Sequence, residues 1–301
     1  MNDEELDTRV ELLTTKAQQG DRTAKTQLRE LIFSLFDEPA SDQIEKEIAE
    51  TIEFILNKLI IENHCEKNKT SSFKDDYLSY FGRSIPAPKS SGGRFYVCGD
   101  TQFFCKLGAG KYVLGRLDGM HHGVSAGLTV LTARKYIDDF IKKGIHSPNE
   151  IAKRLSDKMY LIPKKGASAF TTLFVSILDD STAYLSCVGD GQTLFYQAEE
   201  DTLAVIKPFG PVIGAAGPEL LKKVKYKTEE FVLKKGDVLV SYTDGVNERK
   251  GFELSRIDRF IKANIGNIER TITEILLYTD NLLPQGGLAD DTTAIGITIH
   301  K

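Results

Sequence analysis

The stretch Val97–His122, VCGDTQFFCKLGAGKYVLGRLDGMHH, carries two alternating apolar runs, Thr101 to Leu107 and Lys111 to Leu117, separated by Gly108-Ala109-Gly110. Alternation with a period of two is the mark of a strand, and glycines between two such runs mark a turn. Aspartates flank these strands. Cys98-Gly99-Asp100 closes a first run over Arg94 to Val97, and Leu117-Asp118-Gly119-Met120 closes the run that begins at Lys111.

The same strand pattern recurs at Phe170 to Leu178, Thr182 to Val188, Thr193 to Gln197, Lys223 to Leu233, Asp237 to Tyr242 and Thr292 to His300. Helical periodicity appears at Val124 to Lys143, Pro148 to Tyr160, Leu254 to Ala263 and Ile268 to Leu283. Hairpin-like strand runs interrupted by helix pairs predict an α+β layered sandwich of mostly antiparallel sheets rather than alternating βαβ units. This catalytic-sized unit spans residues 94–301. It is preceded by a Lys-, Ser-, Pro- and Gly-rich stretch over 67–93, with Ile85-Pro86-Ala87-Pro88 and Ser90-Ser91-Gly92-Gly93, which reads as a linker.

Residues 1–66 differ from the rest. They hold 7 Lys/Arg against 16 Asp/Glu, net −9, while the remainder is net +5, giving −4 for the whole chain. Three helical patterns are expected here, and Ile44, Ile48, Ile52, Ile55, Leu56, Leu59 and Ile60 form one long apolar stripe. So small a helical region buries too little surface to stand alone, so the stripe is expected to pack on the rest of the chain, on a second copy or on an activating partner. An acidic helical regulatory or dimerisation region is the reading for 1–66.

Overall composition, with 41% hydrophobic and 27% charged residues, is that of a folded protein. A net charge of −4 offers no footprint for nucleic acid. The sequence has no window of ~20 apolar residues that would span a bilayer and no signal-peptide pattern at Met1-Asn2-Asp3-Glu4-Glu5, so a cytoplasmic location without membrane contact is expected. Four cysteines, Cys65, Cys98, Cys105 and Cys187, show neither disulfide nor zinc spacing.

Two further acidic motifs complete the set: Tyr242-Thr243-Asp244-Gly245 at the end of a late strand and Ala289-Asp290-Asp291-Thr292 at the start of the last. Taken singly, each Asp-Gly reads as a turn. Together, carboxylates at strand tips with glycine carbonyls beside them supply the oxygen donors that Mg²⁺ or Mn²⁺ requires. Their mutual repulsion is tolerable mainly when cations occupy the site, and four converging carboxylates favour two metals.

These motifs, with Gly99-Asp100-Thr101-Gln102, Leu107-Gly108-Ala109-Gly110-Lys111-Tyr112, the 18-residue interval from Asp100 to Asp118, Phe170-Thr171-Thr172-Leu173 and Gly210-Pro211-Val212-Ile213-Gly214, follow the order of a known family. Residues 94–300 resemble the catalytic domain of PPM-type (protein phosphatase 2C-like) metal-dependent serine/threonine phosphatases, in the bacterial branch of stage II sporulation protein E and the stress-response sigma-regulator phosphatases. The resemblance implies a layered α-β-β-α sandwich with two Mn²⁺ or Mg²⁺ ions at one end. It implies that Asp118 bridges both metals, that the Gly119 carbonyl binds one, and that Asp244 and Asp290 hold the other. Asp100 acts in the same site directly or through water, and Asp291 orients a ligand. The reaction implied is hydrolysis of phosphoserine or phosphothreonine by a metal-activated water, on a phosphoprotein such as an anti-sigma-factor antagonist.

The sequence departs from the pattern in places. Cys98 stands for the first of two glycines, Phe103 for a second aspartate, and Met120 for the histidine that follows the bridging Asp-Gly in eukaryotic relatives. His121 and His122 are the candidate general acids, against helix-capping or solvent-facing roles. Arg94 reads as an exposed strand residue, with phosphate contact through its planar guanidinium as the alternative, and Val188-Gly189-Asp190-Gly191 reads as a structural turn. The alternatives are a catalytically silent phosphatase-fold scaffold that binds a partner through its N-terminal helices, and a phosphatase acting on a small metabolite.

Overall fold

The computed structural model describes residues 3–36, 41–60, 69–88, 97–161, 171–215, 219, 222–223, 225–282 and 290–301. In chain order these form α1 (Asp3–Gln18), α2 (Arg22–Phe33), α3 (Asp42–Ile60), β1 (Lys69–Lys74), β2 (Leu78–Ile85), β3 (Asp100–Gly108), β4 (Lys111–Gly119), α4 (Gly123–Lys142) and α5 (Pro148–Leu161). There follow β5 (Thr171–Asp179), β6 (Thr182–Val188), β7 (Gln192–Gln197), β8 (Thr202–Ile206), β9 (Glu229–Val232), β10 (Val238–Tyr242), the single turn α6 (Asp244–Asn247), α7 (Leu254–Ala263), α8 (Ile268–Asn281) and β11 (Thr292–Ile299).

Two antiparallel sheets face each other, one ordered β1-β2-β11-β10-β7-β8 and the other β3-β4-β5-β6-β9. Strand alternation explains why both faces of each sheet are buried. In β4, Tyr112 and Leu114 point between the sheets while Val113 and Leu117 point to the helices. In β10, Leu239 points inward and Val238, Val240 and Tyr242 point to the opposite helical layer. Helices α4 and α5 cover the five-stranded sheet, and α7 and α8 cover the six-stranded one. The architecture is the expected α-β-β-α sandwich preceded by helices.

The region read as a linker is not one over its described part. Residues 69–85 form β1 and β2, and β2 pairs with β11 from Thr292↔Ile85 to Ile299↔Leu78. The composition misleads for two reasons. β1 is an edge strand and can expose Lys and Ser. Gly82 sits inside β2 because the Gln102 side chain occupies the space of its missing Cβ and donates to its carbonyl at 2.9 Å. Lesser differences are β8, in which only Ile206 is buried so that its pattern is weak, and β9, confined to Glu229–Val232 within the expected Lys223 to Leu233. The strand expected at Arg94 to Val97 lies outside the described residues up to 96, and Asp100 opens β3 rather than closing a strand.

The stripe on α3 is covered by its own chain. Ile48, Ile52, Ile55, Leu56 and Leu59 are buried in one core with α1, α2 and α4. Burial of five such side chains, at about 1.5–3 kcal/mol each, is what holds the N-terminal helices on the sandwich. Their acidity is partly matched across the same contact. Glu47 on α3 accepts from Lys158 of α5 at 2.7 and 2.8 Å, and Lys135 of α4 lies 3.8 Å from Glu50. Burial pushes the Glu47 carboxyl up, but hydrogen bonds from Lys158 and Gln43 outweigh this and hold it below the ordinary glutamate value.

A carboxyl held low in the folded state contributes stability that is present above its unfolded pKa and lost as pH falls through the folded value. Glu47→Gln is therefore expected to cost about 1 kcal/mol at neutral pH, because the pair is partly exposed. Urea denaturation of both forms should show this difference at pH ~7 and its progressive loss as the pH falls below the ordinary glutamate value.

Candidate metal centre

The pairing of β3 with β4 sets Asp100 opposite Asp118, and the pairing of β4 with β5 sets Gly119 opposite Thr171. Backbone contacts around them are close. The Gly119 N–H donates to the Gly99 carbonyl at 2.9 Å, and the Thr171 hydroxyl donates to the Asp118 carbonyl at 2.7 Å. A Cβ on Gly119 would stand 2.8 Å from the Ala126 carbonyl, so this position accepts no side chain while α4 stays where it is.

The other sheet brings its carboxylates to the same end. Asp244 opens α6 directly after β10, and Thr243 donates to Asp100 Oδ2 at 2.8 Å while accepting the Thr293 N–H at 2.9 Å. One hydroxyl thus joins β10, β11 and β3. Asp291 is buried and accepts from the backbone N–H of Ala87 at 2.5 Å and of Gly99 at 2.6 Å. Its carboxylate ties the segment after β2 to the segment before β3. Asp290 is exposed, and its Oδ1 accepts the neighbouring Asp291 N–H at 2.8 Å.

The structure adds Asp190, which reads from sequence as a turn. One carboxylate oxygen each of Asp118, Asp190 and Asp244 lies within 4.8 Å of the others. Asp190 does sit in a turn, between Gly189 (φ 85°) and Gly191 (φ 76°), left-handed conformations that glycine adopts without a Cβ penalty. The turn aims its side chain at the other two carboxylates. Beneath it lies Arg116, 2% exposed, donating to Ser241 Oγ at 3.0 Å, the Asp190 carbonyl at 3.4 Å and Thr172 Oγ1 at 3.5 Å. A Cβ on Gly191 would collide with that guanidinium. A charged residue alternating with apolar ones inside a strand was the available signal for Arg116. The flanking glycines are equally a turn signal, so nothing separated Asp190 from a plain turn.

His121 has φ 70° and an exposed side chain, and His122 is the N-cap residue of α4 without a side-chain capping bond. Neither belongs to the group formed by Asp118, Asp190 and Asp244.

Burial raises the carboxyls of Asp100 and Asp118 well above the ordinary aspartate range. Asp291 adds repulsion at Asp100, and Asp100 and Asp244 add it at Asp118. Burial, Asp190 and Asp290 push Asp244 up to about 6, and burial pushes Asp291 up to about 7. Asp118 Oδ2 is buried with no hydrogen-bond partner. A buried anionic oxygen without a donor, ringed by further carboxylates, fits a hard divalent cation.

Two antiparallel sheets between helical layers, with aspartates gathered at one end, define the fold of protein phosphatase 2C-type enzymes. Within that class the chain belongs to the stage II sporulation protein E (SpoIIE) family, whose profile matches residues 108–300. It is 23% identical over 177 residues to the phosphoserine phosphatase RsbU of Bacillus subtilis, a match covering 58% of this chain and 48% of RsbU. The chain therefore spans about half the length of that curated relative. The structure of the PP2C domain of SpoIIE from Bacillus subtilis with a fragment of its regulatory domain is similar with a TM-score of 0.58 at 16% identity, covering 95% of this chain and 97% of that one. RsbX in complex with magnesium is similar with a TM-score of 0.55 at 15% identity, covering 77% of this chain and all of RsbX. Among the described residues no helix is long and apolar enough to cross a membrane.

Carboxyls raised in the folded state hold protons that the unfolded chain has already released, so stability falls as pH rises between the two values. In EDTA the melting temperature should fall as pH rises from about 5 to about 8. Added Mn²⁺ or Mg²⁺ should raise it most at the alkaline end, where the carboxylates are ionised. A melting temperature indifferent to both pH and metal would contradict this account of the centre.

Proposed function

We propose that the chain is a metal-dependent protein serine/threonine phosphatase acting on a small phosphorylated signalling regulator, such as an anti-sigma-factor antagonist. The observation that carries the reading is the buried, unpartnered Asp118 oxygen at the meeting point of Asp190 and Asp244, within the fold of a phosphatase family. Asp100, Asp118, the Gly119 carbonyl, Asp244 and Asp290 would hold two Mn²⁺ or Mg²⁺ ions, and we add Asp190 to the set. Bound there, such ions neutralise the phosphate and lower the pKa of a coordinated water into the neutral range.

The chain's own groups prepare that chemistry. Thr243 fixes the rotamer of Asp100 through its hydroxyl. Asp291 holds Gly99, and through it the backbone at the start of β3, in place. His121 and His122 follow Gly119-Met120, and the exposed ring of His121 is the side chain we assign to protonating the serine leaving oxygen.

Residues 1–66 are proposed to act as the regulatory region. Their apolar stripe is buried within the chain, so a second copy or an activator would meet the outer faces, where Leu12 is 53% and Phe33 46% exposed. Sedimentation of the intact chain reads the self-association arm: a monomer at every concentration leaves only a separate activator.

Phosphate release from a phosphoserine protein, with and without Mn²⁺, tests the activity. Metal-dependent turnover is expected, with a loss greater than about 100-fold in Asp118→Asn, because even residues that only support a ligand cost about 10–100-fold. A folded chain that releases no phosphate with Mn²⁺ or Mg²⁺ would point to the silent scaffold.

A further inference from the structure

Residues 207–228, between β8 and β9, form one basic stretch of five lysines and one glutamate, net +4. Lys207, Lys222, Lys223, Lys225 and Lys227 are exposed. Lys222 pairs with Glu219 at 2.5 Å and Lys227 with Glu229 at 2.8 Å. No carboxylate among the described residues lies within 4.0 Å of Lys207, Lys223 or Lys225.

Residues 209–214 of this segment are fastened beside the carboxylates. The Phe209 N–H donates to the Cys187 carbonyl at 2.8 Å, in the strand that runs into Asp190. Ile213 exchanges backbone bonds with Thr171 at 3.1 and 3.3 Å, and the Thr171 hydroxyl reaches the Asp118 carbonyl. The Gly214 N–H donates to Ser156 of α5 at 3.0 Å. The returning arm folds onto the outgoing one: the Tyr226 ring lies 2.8 Å and the Lys225 carbonyl 3.6 Å from where a Cβ on Gly210 would be. Lys225 is thereby brought next to the Phe209-Gly210 turn, where Phe209 is 53% exposed.

A run of lysines is ordinarily a solvated face. Here backbone bonds hold residues 209–214 beside the strand ends that carry Asp118 and Asp190, Lys225 lies against Gly210, and no carboxylate among the described residues pairs with Lys207, Lys223 or Lys225. A carboxylate-lined centre repels an anionic macromolecule, so cations at its rim are where an acidic surface around a phosphate would be drawn in.

We propose that Lys207, Lys223 and Lys225, with Phe209 beside them, form a docking surface for an acidic protein face flanking the phosphorylated residue. The proposal rests on the phosphatase reading given above. The occupant is an acidic phosphoprotein rather than a nucleic acid, because the same rim opens onto carboxylates that would repel a continuous phosphate backbone.

The test compares two phosphoserine peptides that differ only in their flanks, one rich in Asp and Glu and one neutral, with the intact chain and with K207E/K223E/K225E. For the acidic peptide, kcat/KM should fall about tenfold or more in the variant, mainly through KM, and its decline with added salt should flatten. The neutral peptide should change less than about twofold, since steering acts on the charged partner. Equal losses on both peptides, or none on the acidic one, overturn the docking surface. Should the triple variant unfold, Lys225→Glu alone carries the comparison. Fluorescence anisotropy of the labelled acidic peptide keeps the two readings apart. If the unaltered chain releases no phosphate, the phosphatase reading fails, while binding weakened about tenfold in the variant still supports docking and unchanged binding overturns it. Binding to phosphatidylserine vesicles in preference to the acidic peptide also overturns it.

Discussion

Mutual repulsion among buried carboxylates at one end of the sandwich is the constraint that the rest of the molecule accommodates. Asp100, Asp118 and Asp291 are withdrawn from water with Asp244 beside them, and each raises the cost of ionising its neighbour. Nothing local favours bringing them together. What holds them is the pairing of the strands that carry them, a few neutral donors, namely Thr243 and the backbone N–H groups of Ala87 and Gly99, and the buried Arg116 cation. Three hydrophobic cores, one between the sheets and one under each helical layer, supply the stability that this end of the protein lacks.

The carboxylates are divided between the sheets. β3, β4 and the β6–β7 turn contribute Asp100, Asp118 and Asp190, while the ends of β10 and β11 contribute Asp244, Asp290 and Asp291. The centre therefore exists only while the sheets face each other in one register. Arg116 crosses that interface, bonded to Thr172 in its own sheet and to Ser241 in the other. A buried guanidinium is costly unless its donors are met, so it disfavours any sliding of one sheet that would take Ser241 away. Packing between the sheets, through Tyr112, Phe174 and Ile295, acts on the centre by the same route.

Most of the strands and the aspartates at their tips were readable because each rests on a local rule: alternation gives the strands, and Asp beside Gly at their ends gives the tips. What was not readable depends on distant neighbours. β1 and β2 look like linker because Gly82 and the polar residues of the edge strand make sense only beside Gln102 and β11. Asp190 looks like a turn because it is one, and only the approach of Asp118 and Asp244 gives its carboxylate another role. The α3 stripe showed that something must cover it but not what. The surfaces of α4 and α5, with Lys135 and Lys158 opposite Glu50 and Glu47, answer that through contacts no sequence window contains.

Charge was the least legible property, for a reason of scale. Screening limits the reach of an exposed charge to about 8–10 Å at physiological salt. A total of −4 is an average over regions farther apart than that, and it describes the field at no particular point of the surface. The N-terminal helices contribute −9, and part of it is met by lysines within the fold; the carboxylate end contributes more; residues 207–228 contribute +4 beside it. An approaching macromolecule meets these one at a time. Net charge thus argues against extended polyanions such as nucleic acid, yet it is silent on a compact acidic surface that could rest on a few lysines while presenting a single phosphate to the carboxylate end.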